Sequence, residues 1–386
     1  MYGTPDMSFV EYSFKAYTLL FKKITLDLIG SLNTKKTKID SSKTWVISNT
    51  LNNNKSTSYL RKHIKQVQFL QINRKNNNND TLRIGFYPEN IFKLIRFLIL
   101  TDEKWYRYNP HFLYDVFNFN DTLISLFKVN KPKAIIFSND HYFLNRMLLN
   151  ESRKHKITSI YIAHASVSNY FPPLEFDHSF LFGQSMLEIY KRIGVIKGNT
   201  YLVGNSRSDD LIDLRKESRD RNIIGIGINP LDDLNLVKIT IEKLLERYKN
   251  INIVIRFHPR IKTYKIINSR RVIYTSSQNE DLKTFLRRIS VLICGNSGLI
   301  LDAAISGVRS IQFHHEINPM EDNYGFIKNE IAKLCSNYYE LFEIINDFHS
   351  LEYLKKTKYF EESIGSNYEG NVKKKIGQKI YKIIYE

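Results

Sequence analysis

Two short motifs in the second half of the chain have the residue types that bind phosphate. His258-Pro259-Arg260 follows one apolar run, and Gly295-Asn296-Ser297-Gly298 follows another. A histidine and an arginine offer donors to an anion, and proline stiffens the turn between them. Glycines let a ligand approach the backbone, while a helix N-terminus and a serine hydroxyl donate to phosphate. Either motif alone is also explained as a basic loop or a capped helix, but together they predict a phosphate-binding edge.

Three further polar residues accompany these motifs. Asp302 lies about one turn beyond Gly298, where it could orient the loop, accept a ribose hydroxyl or form a salt bridge. Asn229 and Asp232 follow the apolar run 223–228. There they could contact the sugar or base of a donor, and a carboxylate could equally cap the next helix. These alternatives stay open from the sequence.

The first half of the chain carries candidates for proton transfer. Asn139-Asp140-His141 follows the apolar run 133–138, and His164-Ala165-Ser166 follows the run 158–163. An aspartate or a histidine can take a proton from an acceptor hydroxyl. We therefore expect the base to be Asp140, His141 or His164, with Asn139 and Ser166 as donor or acceptor contacts. A structural histidine is the alternative for either position taken singly.

These motifs all follow predicted strands. Short apolar runs alternate with helix-length amphipathic stretches, which is typical of a parallel sheet covered by helices. In such α/β sheets, ligands bind beyond the carboxyl ends of the strands. The predicted strands are 44–48, 83–87, 133–138, 158–163, 178–182 and 200–203, and then 223–228, 251–257, 271–274, 291–294 and 309–313.

The pattern divides the chain into four parts. Residues 1–40 are predicted to be helical, and residues 41–210 to form a Rossmann-like acceptor domain. Residues 204–222 are nearly all polar, and this stretch predicts the boundary between the two domains. Residues 211–350 are predicted to form a second Rossmann-like domain for the nucleotide donor, and residues 351–386 a basic helical tail. The tail could pack on the first domain or touch a membrane.

Composition narrows the class of protein. The 386 residues contain two cysteines, which are too few for a disulfide scaffold and favour a reducing, cytoplasmic compartment. No secretory signal and no run long enough to span a bilayer is recognised. The net charge of +18 favours anionic partners. Neither a Walker A loop nor a Gly-x-Gly-x-x-Gly turn follows a strand, and no cluster has metal-ligand spacing, so no metal or cofactor is expected.

The motifs resemble those of a known group of enzymes. Residues 255–260 (Ile-Arg-Phe-His-Pro-Arg) and 294–304 (Cys-Gly-Asn-Ser-Gly-Leu-Ile-Leu-Asp-Ala-Ala) are similar to bacterial capsule and lipopolysaccharide transferases of the GT-B fold. One similar branch is the sialyl- and Kdo-transferases, which use CMP-sugars. The other is the CDP-glycerol polymerases of teichoic-acid synthesis. Residues 161–168, 171–174 and 180–183 also look like these surface-polysaccharide enzymes.

The resemblance implies a fold, a donor site and a choice of chemistry. It implies two Rossmann-like domains facing a cleft, with His258 and Ser297 gripping the phosphate of a cytidine nucleotide. The acidic base motif of the sialyltransferases is absent. The polymerases' Ser-Ser is Asn296-Ser297 here, and their His-Gly is His164-Ala165. The resemblance therefore supports the fold and the binding of the donor phosphate better than it supports the identity of the base or of the sugar.

We expect metal-independent, inverting transfer of an acidic sugar from a CMP-activated donor to a glycan or lipid-linked acceptor. The alternatives are a CDP-polyol phosphotransferase, a GT-B-like epimerase that needs no acceptor, and a basic nucleic-acid-binding protein without enzymatic activity. Strong salt dependence of DNA or RNA binding is the mark of that last class, for which no reading module is present. The basic surface would hold the enzyme at the anionic inner face of the cytoplasmic membrane.

Overall fold

A computed structural model describes residues 14–32, 39–73, 80–102, 106, 109–230, 232–259, 261–313, 322, 324–346 and 356–386. Within these residues, the first half of the chain forms a seven-stranded parallel sheet in the order β3-β2-β1-β4-β5-β6-β7. Its strands are β1 (Thr44–Ile47), β2 (Val67–Asn73), β3 (Thr81–Arg83), β4 (Ala134–Phe137), β5 (Thr158–Ile162), β6 (His178–Leu181) and β7 (Asn199–Leu202).

The second half forms another parallel sheet, with six strands in the described residues and the order β10-β9-β8-β11-β12-β13. These strands are β8 (Ile223–Ile228), β9 (Asn252–Phe257), β10 (Val272–Ser276), β11 (Val291–Cys294), β12 (Arg309–Phe313) and β13 (Lys333–Cys335). Two parallel sheets with flanking helices confirm the predicted pair of Rossmann-like domains.

Helices cover both sheets. They are α1 (Phe14–Leu32), α2 (Leu51–Thr57), α3 (Glu89–Leu100), α4 (Pro110–Val129), α5 (Phe143–Lys154), α6 (Gln184–Ile193), α7 (Ser208–Leu211), α8 (Leu234–Arg247), α9 (Leu282–Arg288), α10 (Leu299–Ser306), α11 (Tyr338–Asn346) and α12 (Val372–Tyr385). Because helices lie on both faces, the central strands read as continuous apolar runs. All four residues of β4 and all four of β11 are buried.

The terminal helices extend the first domain. Helices α1 and α3 both pack on α4, where the Tyr114 hydroxyl donates to the buried Asp27 at 3.0 Å. At the other end of the chain, Val372, Ile376 and Ile380 of α12 pack into a buried cluster with residues of β1 and β4. The basic tail predicted from the sequence therefore packs back on the first domain, and its lysines lie on the outer side of the helix.

Three elements of the structure differ from the sequence prediction. The strand predicted at 83–87 is wrong over most of its length, since β3 ends at Arg83. Strand β2 was not predicted, because its apolar residues are interrupted by Gln68 and Gln71 and an asparagine run follows it. No strand was predicted after 309–313, yet β13 adds to the edge of the second sheet among the described residues. A three-residue edge strand is too short to produce a periodic signal.

The polar stretch after β7 is closely packed. Leu211 and Leu214 are buried, and they join a hydrophobic cluster with residues of both halves of the chain. Glu361, far along the sequence, is also buried and accepts a hydrogen bond of 2.7 Å from the backbone of Asn205. The segment that connects the two halves is therefore packed against residues from both of them, so it is not an open connection.

Candidate functional site

The carboxyl edge of the second sheet brings the two predicted phosphate motifs together. Strand β8 lies between β9 and β11, so the residues that follow these three strands are neighbours. The Asn229 side chain donates to the backbone oxygen of Asn296 at 3.2 Å. The backbone N–H of His258 donates to the Ile228 carbonyl at 3.0 Å. Asn229 therefore stands between the His258 loop and the glycine turn. Pro259 lies exposed in that loop, and Arg260 lies outside the described residues.

The turn that precedes α10 is compact and open to one side. Ser297 accepts a hydrogen bond of 3.3 Å from the Leu299 backbone, as a helix cap does, and Gly295 is buried at the end of the strand. A Cβ atom at Gly298 would meet no other atom within 4 Å among the described residues. Folding therefore does not require a glycine at this position, whereas a ligand that approaches the backbone would.

The two aspartates after β8 have separate roles. Asp233 caps α8, because its carboxylate accepts from the Asn235 backbone at 2.8 Å. Asp232 accepts from the Asn229 backbone at 2.7 Å and so fixes the loop that supports the glycine turn. The capping alternative raised by the sequence is confirmed for Asp233.

Asp302 is buried on the first turn of α10 and faces two arginines. Its carboxylate lies 3.7 Å from the Arg207 guanidinium. Burial raises the pKa of Asp302, while the charges of Arg207 and Arg256 lower it. In this structure the salt-bridge alternative for Asp302 is the one realised, and its contact with a donor ribose stays a prediction.

The carboxyl edge of the first sheet contains a buried ionisable network. Asp140 is 0% exposed. It accepts a short hydrogen bond from the Tyr190 hydroxyl, and its second oxygen lies 3.2 Å from His141 Nδ1. Burial and the Asp140 charge raise the pKa of both Tyr161 and Tyr190 well above the usual value, so both phenols stay protonated. Asp140 is therefore placed to hold its neighbours rather than to meet a substrate.

His141 has a partner on each ring nitrogen. The Asn139 amide nitrogen lies 3.3 Å from Nε2, and Asp140 lies beside Nδ1. The tautomer with its proton on Nδ1 satisfies both contacts, since Nε2 can then accept from Asn139. The Asn139 oxygen also accepts from the backbones of His141 and Tyr142 at 3.1 and 2.7 Å. These bonds shape the loop after β4.

His164 lies next to His141, with the ring centroids 6.2 Å apart and the ring planes inclined by 25°. Burial lowers the pKa of His164 to about 4, the charges of His141 and Arg207 lower it as well, and Asp140 opposes them. At neutral pH the His164 imidazole is therefore uncharged and able to accept a proton.

The two edges face one another across a narrow gap. Ser166 of the first domain and Leu301 of α10 line the same small cavity, whose volume is about 10 Å³. Larger cavities lie elsewhere. One of about 360 Å³ is bounded by His63 and α12, and one of about 140 Å³ by Ser48, Phe69 and their neighbours. Among the described residues, no group of three or more His, Cys, Asp or Glu side chains is arranged to hold a metal ion.

Two site residues were not predicted from the sequence. Tyr190 lies inside a helix with no local motif, and its partner Asp140 is fifty positions earlier, so only the tertiary fold reveals the pair. Arg207 lies in the polar stretch interpreted as the domain boundary, although Gly204 and the run Asn205-Ser206-Arg207 come soon after a strand. The rule that ligands bind beyond strand ends would have singled it out.

No family model matches the chain, and no curated protein matches its sequence. Several solved structures share its fold. The wall teichoic acid polymerase TagF, as a variant soaked with CDPG, aligns with 97% of this chain and 98% of its own at a TM-score of 0.55 and 12% identity. The UDP-GlcNAc 2-epimerase from Methanocaldococcus jannaschii aligns with 88% of this chain and 99% of its own (TM-score 0.55, 12% identity).

MnaA of S. aureus, solved with UDP, covers 89% of this chain and 97% of its own at a TM-score of 0.55 and 9% identity. Likeness at such low identity establishes the fold. The fold is GT-B, with two Rossmann-like domains whose strand ends face a common cleft.

Proposed function

We propose that this chain transfers a group from a cytidine-nucleotide donor to a hydroxyl of a bacterial surface polymer. The observation that carries the proposal is that the carboxyl edges of the two sheets face each other and present different chemical groups. A neutral histidine, His164, lies beside His141 at the first sheet, and an open glycine turn at a helix N-terminus lies at the second. Transfer from a nucleotide donor needs both features, one to activate the acceptor and one to stabilise the departing phosphate.

The second edge supplies the donor site. His258 and Ser297 donate to the phosphate, and the backbone N–H groups at the start of α10 neutralise the charge that grows on the departing CMP. Asn229 and Asp232 hold the loop beneath them in place. Arg260 belongs to the same motif, and the sequence assigns it to this phosphate.

The first edge supplies the base, which we assign to His164. Asp140 is fully buried, and both ring nitrogens of His141 have partners. His164 is the neutral imidazole beside them. The acceptor oxygen would give its proton to His164, while Asp140 and His141 keep the neighbouring rings in position.

The donor we favour is a CDP-polyol. The acceptor oxygen would attack the phosphorus that carries the polyol, and the bond from that phosphorus to CMP would break. CMP would leave with the electron pair, and the acceptor proton would pass to His164. A histidine base in place of an acidic pair supports this choice, as does a teichoic acid polymerase that matches the whole chain in fold. No metal enters these steps.

The second candidate is transfer of an acidic sugar, sialic-acid-like or Kdo-like, from a CMP-sugar. His258-Pro259 and Ser297 support it, since their pattern resembles that branch equally. Here the acceptor oxygen would attack the anomeric carbon, and CMP would leave as before. A nucleotide-sugar epimerase is the remaining outcome, because one of the solved structures above carries that name.

Donor screening separates these outcomes. The protein is incubated with CDP-glycerol, a CMP-sialic acid or UDP-GlcNAc, each with and without a glycan acceptor, and both the released nucleotide and any altered nucleotide sugar are measured. CMP release from CDP-glycerol that depends on acceptor is the expected result. Acceptor-dependent release from the CMP-sugar alone would select the second candidate. Conversion of UDP-GlcNAc without acceptor would overturn the proposal.

We also propose that the enzyme contacts an anionic membrane at the cytoplasmic inner face. Phe21 of α1, together with Phe92 and Ile99 of α3, is 71–74% exposed, and both helices pack on α4. Exposed apolar side chains on a protein of charge +18 are suited to an anionic lipid surface. None of the helices in the described ranges is long and apolar enough to cross a membrane.

Vesicle sedimentation tests this contact. Binding to vesicles rich in phosphatidylglycerol, lost at high salt and absent on phosphatidylcholine, is expected. The double variant Phe21→Ser, Phe92→Ser should bind less while its nucleotide affinity stays unchanged. Equal binding to both lipids would contradict the electrostatic part of the proposal.

A further inference from the structure

Arg207 lies where the two domains meet, on the loop between β7 and α7. The backbone N–H of Arg207 donates to the Asn205 side chain at 3.0 Å, which forms a tight turn at this point. The side chain reaches Asp302, on the first turn of the helix that follows the glycine turn. Its charge is also close enough to lower the pKa of His164. One guanidinium therefore adjoins the proposed base and the proposed donor site.

The loop that carries Arg207 is fixed in place. The buried Glu361 accepts from the Asn205 backbone at 2.7 Å and lies 3.4 Å from the Ser208 hydroxyl. Gly204 has a φ of +91°, and a Cβ there would lie 2.0 Å from a Glu361 oxygen. Only glycine allows this close approach, so the loop is built around the buried carboxyl group of Glu361. A fixed loop presents Arg207 at a defined position.

The guanidinium itself is poorly satisfied. Its contact with Asp302 is a loose ion pair at 3.7 Å, and its buried Nε has no hydrogen-bond partner among the residues that the structure describes. The side chain is 29% exposed. A planar guanidinium binds best through two parallel hydrogen bonds to an oxyanion, and among the described residues the Arg207 guanidinium has a single long ion-pair contact. Arg207 therefore has unused capacity for an anion at the gap between the domains.

Asp302 does not depend on Arg207 alone. Arg256 also lowers the pKa of the Asp302 carboxyl, and it is anchored by a 3.0 Å hydrogen bond to the Glu280 carbonyl. If Arg207 turns toward another anion, Asp302 keeps one cationic neighbour. Leaving a buried carboxylate without any cationic neighbour would be costly, and the charge of Arg256 offsets part of that cost.

We propose that Arg207 binds a donor phosphate and exchanges its contact with Asp302 for that phosphate when the donor enters. This inference rests on the proposed function and adds a coupling to it. With the donor absent, the Arg207 charge disfavours a proton on His164. A bound phosphate neutralises that charge, so His164 becomes a stronger base only when a donor is in place. The coupling would limit proton transfer to the loaded enzyme.

Calorimetric binding of CDP to matched variants tests the phosphate contact. Arg207→Ala should bind CDP about 10- to 100-fold more weakly, the size expected for a hydrogen bond to a charged group. Arg207→Lys should fall between this variant and the wild type. The control is Arg215→Ala, since Arg215 holds the far end of α10 through the Ile305 carbonyl at 2.7 Å. It should lower the melting temperature without weakening CDP binding.

Asp302→Asn tests the exchange. Because the asparagine competes less for Arg207, CDP should bind equally or up to about 5-fold more tightly. Weaker binding by this variant would mean that Asp302 contacts the donor, and it would overturn the exchange.

An NMR titration of His164 supplies a readout that a purely structural arginine would not move. In the wild type, saturating CDP should raise the pKa of His164. In Arg207→Ala the pKa should start higher and respond less to CDP. Wild-type affinity in Arg207→Ala, with CDP bound, would refute this inference and leave the proposed function standing. Failure of the wild type to bind any cytidine nucleotide would remove both.

Discussion

The carboxyl edges of the two sheets present different kinds of chemical groups. At the first edge, ionisable side chains are bonded to one another, from the buried Tyr190 through the buried Asp140 to the partly exposed His141. At the second edge, the turn before α10 is made of small residues and backbone groups, with open space at Gly298. A proton acceptor needs a tuned environment, whereas a phosphate needs access to N–H donors. The difference between the edges is thus the difference between activating an acceptor and holding a donor.

The comparison also predicts how each edge responds to substitution. Changes at the first edge disturb a network in which every member contacts another, so they act on rate, protonation and stability together. Changes at the second edge act on ligand binding with little effect on folding.

His164→Ala should give the largest loss. A general base contributes about 10²- to 10⁴-fold to a rate, and we expect kcat to fall within that range while CDP affinity stays within about twofold. Steady-state turnover and calorimetry measure the two quantities. Asp140→Asn is the matched comparison at the same edge. It should lose less activity and more stability, and the reverse order would move the base to the Asp140–His141 pair.

His258→Ala should reduce turnover by about 10²- to 10³-fold, as the loss of one preorganised donor to a developing anion does. In contrast to His164→Ala, this variant should also bind CDP more weakly. Its melting temperature should be close to that of the wild type, because the backbone of His258 makes the bond to Ile228 and is retained. Near-normal turnover would remove His258 from the donor site.

Gly298→Ala and Gly227→Ala form a pair within the second domain. At Gly298 an added methyl meets no atom of the other described residues within 4 Å, so stability should be unchanged or slightly increased, while CDP binding should weaken several-fold. At Gly227 the methyl would lie 2.9 Å from Leu299 and 3.3 Å from Cys294, so that variant should melt at a lower temperature. Unaltered CDP binding by Gly298→Ala would show that no ligand approaches this turn.

The smallest effect should be a change in how stability depends on pH. The folded-state pKa of His164 is about 4, below its ordinary value of 6.5, so the unfolded chain binds more protons between these values. The His164 contribution is therefore present above pH 6.5 and is lost as the pH falls toward 4. Urea unfolding across this range should show a shallower decline for His164→Gln than for the wild type. Identical slopes would contradict the burial of a neutral imidazole.

The contribution of Glu361 to the pH dependence of stability should have the opposite sign to that of His164. Burial raises its pKa to about 8, above the ordinary 4.5, so the folded state holds the proton longer. Its contribution is complete below pH 4.5 and is lost as the pH rises through 8. Glu361→Gln should flatten the decline of unfolding free energy between these values, since glutamine can keep the bond from Asn205. A decline as steep as that of the wild type would assign the effect to another group.

The sequence predicted which polar residues follow the strands more reliably than it predicted the contacts that these residues make. His258, Ser297, Asp140 and His164 were identified because a polar residue after a buried strand marks the edge of a parallel sheet. The burial of Asp140 was not predictable, because it depends on Tyr190, fifty residues away. Arg207 was missed for a related reason. Polar composition indicated a domain boundary, while Leu211 and Glu361 pack that segment through contacts that no local pattern records.

The location of a bound nucleotide tests the central claim most directly. A structure of the protein determined with CDP should place the diphosphate against the Gly298 backbone, beside His258 and Ser297, with the Arg207 guanidinium turned from Asp302 toward it. A diphosphate bound away from the second sheet's carboxyl edge, for example in the cavity between His63 and α12, would contradict the account.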